Sequence, residues 1–103
     1  MPQRPIPDSA TVVVAANLLS STFDQEQVIL NLRDGVYYGL EDVGARLWAL
    51  LQRPVTVASI RDALVAEYDV EPVRCARDVR ALLQELAARG LIEVRESGDG
   101  AVA

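Results

Sequence analysis

Residues 28–51 read VILNLRDGVYYGLEDVGARLWALL, and two periodicities meet in them. Val28, Leu30 and Leu32 alternate with Ile29 and Asn31, the two-residue period of a strand with one buried face. Arg33-Asp34-Gly35 then carries turn chemistry, because glycine takes a positive φ without a steric penalty. Val36–Leu40, VYYGL, resumes an extended run of β-branched and aromatic residues. From Glu41 the period lengthens to that of a helix. Val43, Leu47, Leu50 and Leu51 define one face and Trp48 widens it. Glu41 and Asp42 sit where the positive end of the helix dipole favours carboxylates. The stretch predicts a β-hairpin running directly into an amphipathic helix.

Before it, residues 1–10 hold three prolines and no periodicity, and are expected to form a flexible or extended lead-in. A first strand is expected somewhere in residues 12–23, where Val12–Val14 are β-branched and Leu19, Ser21 and Phe23 alternate. Polar Asp24–Gln27 turns the chain into the hairpin. After it, Pro54 stops the first helix and Thr56 is placed to cap a second, whose apolar face is Val57, Ile60, Leu64 and Tyr68. Pro72 suits the first position of a third helix with the stripe Val79, Leu82, Leu83 and Leu86, and Gly90 ends it. Leu91, Ile92 and Val94 return apolar surface to the core in a short extended segment. The expected fold is α+β and winged helix-turn-helix-like: a three-stranded antiparallel sheet followed by three helices. One domain over residues 11–96 accounts for the chain, with a frayed tail over 97–103.

Composition removes whole classes of function. The 103 residues contain no histidine and one cysteine, Cys75. A Ser-His-Asp triad, a Cys-His pair, a zinc cluster and a disulfide framework are unavailable to this chain, and no metal or cofactor is expected. No phosphate-cradling GxxxxGK[ST] loop occurs. A formal charge of −5 argues against nucleic acid as a partner, since that affinity rests on neutralising phosphates. The apolar run Thr11–Ala16 is too short to span a bilayer, and the N-terminus lacks a signal-peptide pattern. No membrane association is expected, and a reducing cytoplasm is the simplest compartment.

The carboxylates are scattered over turns and helix surfaces, so no acid/base pair stands out and no enzyme activity is expected. Cys75 reads as a small buried hydrophobe. On the third helix, Val73, Arg77, Arg80 and Gln84 lie on one flank of the apolar stripe, beside Ala76, and Glu71, Asp78 and Glu85 lie on the other. The arginine flank is either a contact surface or a solvated face. The third strand is the stronger candidate. Tyr37 and Tyr38 point to opposite sides, so one is displayed. If Val36–Leu40 is an edge, its free backbone groups template an added strand; the alternative is that Leu91–Val94 already covers it.

These residues resemble a family. The motif VILNL-x-x-G-V-Y-Y-G-L-x-x-V-G-A-R-L-W-x-L-L is similar to the PqqD-like precursor-peptide recognition elements of ribosomally made peptide natural products (RiPPs). The later Thr56, Ile60, Leu64 and Tyr68-Asp69-Val70 continue the pattern, as do Asp78-Val79, Leu82-Leu83, Leu86 and Gly90-Leu91-Ile92, so that it covers residues 18–94. Within the motif Gly35, Tyr38, Leu40, Gly44 and Trp48 are its more specific positions. The resemblance implies a non-catalytic domain to which a leader peptide adds antiparallel along the third strand, facing the third helix. The implied contact residues on the strand are Val36, Tyr37, Tyr38, Gly39 and Leu40; the motif does not fix which flank of the helix faces the peptide, and Val73, Ala76, Arg77 and Arg80 are the candidates there. The implied partners are the precursor peptide and a maturation enzyme, foremost a lasso-peptide leader peptidase. A radical SAM maturase, as in pyrroloquinoline quinone biosynthesis, is the second option. A winged-helix DNA-binding regulator is the reading from another class.

Overall fold

The computed structural model describes residues 6–95, so the expectations for residues 1–5 and for the tail 97–103 lie outside it. The chain order is β1 (Thr11–Val14), β2 (Leu18–Phe23), β3 (Glu26–Asn31), β4 (Val36–Leu40), α1 (Asp42–Leu50), β5 (Val55–Thr56), α2 (Val57–Tyr68), α3 (Pro72–Ala88) and β6 (Ile92–Arg95). The α+β class and the three helices stand as expected. The window 12–23 resolves into two strands of two different sheets. In one antiparallel sheet the order is β2-β3-β4, which contains the expected hairpin. In the other it is β5-β1-β6, so the apolar return after α3 pairs with β1 and not with the VYYGL strand.

Local chemistry sets the joints. Gly35 adopts φ 72°, and the Val36 amide donates to Asp34 Oδ1 at 2.9 Å, which closes the β3–β4 turn. Glu41 alone separates β4 from α1, so the helix must double back beneath the sheet. Thr56 Oγ1 accepts from the Ser59 amide at 3.1 Å and caps α2. The Glu71 carboxylate accepts from the Val73 and Arg74 amides, with Pro72 in the first turn of α3. Gly90, at φ 77°, ends that helix.

One core joins the layers: Val12 and Ile92 from the first sheet, Ile29 from the second, and Leu47, Trp48, Leu51, Val57, Ile60, Leu64, Val79, Leu83 and Leu86 from the helices. The hairpin's alternation is real, but its inward set is Ile29 and Asn31, while Val28 and Leu30 are half-buried and Leu32 is exposed. Register explains this, since Ile29 pairs with Tyr38 and Asn31 with Val36 on the side that α1 covers. Buried Asn31 turns its amide oxygen to the Arg33 N–H at 2.9 Å.

The lead-in departs from expectation over its described part. Ile6 and Ala10 are buried, and the Asp8 and Ala10 carbonyls accept from the Ala58 and Val57 amides at 3.0 Å each. Asp8 pairs with Arg61 of α2 at 2.8 Å and with Arg80 of α3, and Arg80 Nε donates to the Ile6 carbonyl at 3.0 Å. Residues 6–10 are thus strapped across both helices. Counting prolines could not foresee this, because the two arginines arrive from residues 53 and 72 positions away.

Trp48 is 1 % exposed, and its indole N–H has no acceptor among the described residues. Trp48→Ala should destabilise the fold by about 3–5 kcal/mol, whereas Trp48→Phe, which also removes an unpaired donor, should cost much less. Chemical denaturation of both variants checks this; a Trp48→Phe loss as large as that of Trp48→Ala would show that a ring at this position gains nothing from packing.

Candidate functional site

The backbone of β4 supplies the first feature. The Leu32 amide donates to the Asn17 carbonyl at 3.0 Å, which fixes the phase of the β2–β3 ladder. Bonding directions alternate along a strand. Leu19, Ser21 and Phe23 therefore bond to β3, Ile29 faces β4, and Tyr38 and Leu40 turn their amides and carbonyls back to β3. Tyr37 and Gly39 point theirs the other way. No strand pairs with that side of β4 among the described residues, because β6, the segment that might have covered it, lies in the other sheet. The free edge is thus built from Tyr37 and Gly39.

Side chains alternate too. Tyr37 stands outward, 67 % exposed, while Tyr38 and Leu40 turn in and pack partly against the core. Across from them stands α3. An ideal Cβ on Gly44 would meet Leu40 Cδ2 at 3.6 Å and Leu82 Cδ2 at 3.8 Å, so the end of β4, the first turn of α1 and the middle of α3 converge there. At the middle of β4 the Arg89 guanidinium lies over the Tyr38 ring, 5.3 Å from its centroid, and Arg89 also pairs with Glu85 at 3.4 Å.

From that convergence an apolar pocket of about 540 Å³ opens between the three helices. Leu47, Leu64, Val79 and Leu82 form its apolar walls, Gly44 leaves it open, and Glu71, Arg74 and Asp78 supply charge at its rim. Tyr68 and Val70 line it as well and are each 40 % exposed, large apolar groups left in water beside an empty cleft. Cys75 also lines it. Burial, and then the negative charge of Asp78, pushes its thiol above the ordinary cysteine range against the opposing pull of Arg61. Such a thiol is a wall and not a nucleophile.

The α3 residues that the resemblance suggested fare unequally. Taking about 100° per residue, Arg77 and Arg80 lie about 140° and 160° round the helix from Leu82, and Val73 lies opposite it. Arg80 is engaged by Asp8 and the Ile6 carbonyl, Ala76 is buried, and Val73 is 72 % exposed away from the pocket. The flank turned towards β4 and the pocket is the other one: Arg74, Asp78, Leu82, Glu85 and Arg89. Val36–Leu40, by contrast, stand at the expected edge. The missed residues carried a signal. Leu40 and Gly44 are four apart, as are Asp78 and Leu82, and a glycine inside an apolar helical run marks a close approach or an opening.

An unpaired strand edge with an apolar pocket at its end is the geometry of strand-addition peptide recognition. The comparisons then place the chain in a family. A family model described as "Coenzyme PQQ synthesis protein D (PqqD)" matches residues 26–92, and the chain belongs to that family. A protein of Rhodopseudomonas palustris (strain ATCC BAA-98 / CGA009) named "PqqA binding protein" is 38% identical over 58 residues, which is 55% of this chain and 57% of that protein, so just over half of that relative's length is matched. Among solved structures, TbiB1 in complex with the TbiA(beta) leader peptide superposes with a TM-score of 0.76 at 38% identity, covering 79% of this chain and 94% of that one. Lasso peptide synthetase B1 complexed with its leader peptide gives a TM-score of 0.73 at 27% identity, covering 80% and 96%. No helix among the described residues is long and apolar enough to cross a membrane.

Because the Gly44 Cβ position meets neighbours only at ordinary contact distance, Gly44→Ala should fold normally and gain about 0.5–1 kcal/mol from helix propensity. A lower melting temperature would show that the α1–α3 approach is tighter than these distances.

Proposed function

We propose that this chain binds the leader region of a ribosomally made precursor peptide and presents it to a separate processing enzyme. The observation that carries the reading is the unpaired edge of β4, which leads into an apolar pocket bounded by α3. A leader would add antiparallel to β4 and bond to the Tyr37 and Gly39 backbone. Its N-terminal part would then run towards Leu40 and the pocket, where a large apolar side chain is received, and its C-terminal part would leave past Tyr38 and Arg89. Main-chain bonds give affinity tolerant of sequence, and the pocket with Arg74, Asp78 and Glu85 gives selectivity.

A leader peptidase of lasso-peptide type is the partner the comparisons favour. The two leader-peptide complexes match over nearly their whole length, whereas the PqqA-binding relative matches over just over half of its own. The domain itself contributes no chemistry in this reading. Its pocket thiol is pushed towards the protonated form by burial, and the other titratable groups lining the pocket are Tyr68, Glu71, Arg74 and Asp78. The reading places the chain in the reducing cytoplasm, where such precursors are made.

The probe for the test is a synthetic leader peptide, taken from a short precursor gene identified by inspection of the gene neighbourhood. Amide exchange should slow at Tyr37 and Gly39 when it is added, with little change at Tyr38 and Leu40, which β3 already protects. Protection confined to α1 and α2 would sink strand addition at this edge. Leu82→Glu should weaken binding at least about tenfold, roughly 1.4 kcal/mol, with the fold intact. Arg80→Glu should instead lower thermal stability by expelling Asp8 and leave affinity almost unchanged; the opposite ranking would return the arginine flank to the site. Incubated with the purified domain alone, the full precursor should stay intact by mass spectrometry, and any turnover would refute the non-catalytic role.

A further inference from the structure

Among the described residues the second open edge of the β2-β3-β4 sheet is β2, and none of them guards it. Sheet edges left in water are normally protected by charge, proline, a bulge or brevity. Here the edges of the other sheet comply: β5 is two residues long, and β6 carries Glu93 and Arg95. Over Leu18–Phe23, LLSSTF, there is no charge and no proline, and the register with β3 runs one-to-one for six pairs without a bulge. Its side chains are equally bare. Leu19 is 59 % and Phe23 71 % exposed on the outward face, and Ser20 and Thr22 on the inward face are exposed as well.

We propose that β2 pairs antiparallel with β2 of a second copy of this chain, about a two-fold axis through Ser21. Self-pairing about an axis normal to the sheet keeps each residue on its own face, so paired positions must share parity. Centring on Ser21 sets Leu19 opposite the second copy's Phe23 twice over, an aliphatic–aromatic cross-strand contact on the outer face. It sets Ser20 against Thr22 on the inner face, where hydroxyls pair. The backbone agrees. Ser21 bonds to β3, while Leu18, Ser20 and Thr22 direct their amides and carbonyls outward, free for the new ladder. Charge selects the same place. Two copies of a chain with charge −5 repel over most of their surfaces, yet in this register Asp24 meets Leu18 and no like charges face each other.

The product is a six-stranded sheet, β4-β3-β2-β2-β3-β4, with both β4 edges left open at its ends. A pairing of six residues lies at the small, transient end of interfaces, so the dimer should depend on concentration. Sedimentation velocity of the full chain across the micromolar range should show reversible dimers. Ser21→Glu, which places two carboxylates directly opposite, should raise the dimer dissociation constant at least about tenfold while circular dichroism and melting stay as in the wild type. In the proposed register the Ser21 pair is not hydrogen-bonded, with Cα atoms about 4.5 Å apart, within disulfide range. Ser21→Cys should therefore give a covalent dimer on mild oxidation, while Thr22→Cys, opposite Ser20, should not; the wild type controls for buried Cys75. A chain that stays monomeric up to millimolar concentration overturns the proposal. So does equal crosslinking of the two cysteine variants, or a dimer broken by Tyr37→Glu and not by Ser21→Glu. A monomer whose Ser21→Glu variant loses binding to the synthetic leader peptide would assign the edge to that ligand and likewise overturn it.

Discussion

The structure depends on the direct join between β4 and α1. With Glu41 alone between them, the helix cannot move away from the hairpin and must fold back under it. Trp48, Leu47 and Leu51 are thereby brought into the core that takes Ile29 from β3. The same geometry places Gly44 against Leu40 and brings Leu82 of α3 within contact. Because α1 covers one face of β4 and nothing among the described residues covers its outer edge, the strand is rigid and yet half-bonded. A rigid half-bonded strand is a better template than a flexible one, since the ordering entropy of the receptor has already been met in folding.

The pocket follows from that join rather than from any motif of its own. Three helices meeting beneath a short sheet leave space where their ends diverge, and a glycine at position 44 prevents α1 from filling it. Charge then lies where backbone and packing allow it. The Glu71 carboxylate caps α3, Asp78 sits a turn before Leu82, and Arg89 is held between Glu85 and the Tyr38 ring. These exposed pairs add little stability. In the proposed leader-binding role their weight would lie in selectivity among apolar peptides.

The strap of residues 6–10 has a complementary effect on the far side. Asp8 draws Arg61 and Arg80 together, holding α2 against α3 and fixing the helix that walls the groove. Arg80, which on a helical wheel looks like part of a recognition surface, is thereby engaged within the chain. The face of α3 that remains open towards β4 is mixed in charge.

How much of this was legible in the sequence differs from feature to feature. The α+β class, the hairpin-to-helix passage, the cap at Thr56, the helix start at Pro72 and the stop at Gly90 are local chemistry, and local chemistry is written in neighbouring residues. The opposition of Tyr37 and Tyr38 follows from the pleat alone. Four things required the tertiary structure: which hairpin face is buried, which flank of α3 meets β4, where β6 pairs, and that residues 6–10 are strapped down. Each is decided by contacts between residues far apart in the chain. A period of two or of 3.6 fixes which side chains share a face, but it carries no information on which face the rest of the protein will cover. For Leu32, Arg80 and Ile6 that choice was made by packing and by pairing across the fold, and the sequence by itself determined only the alternatives between which they chose.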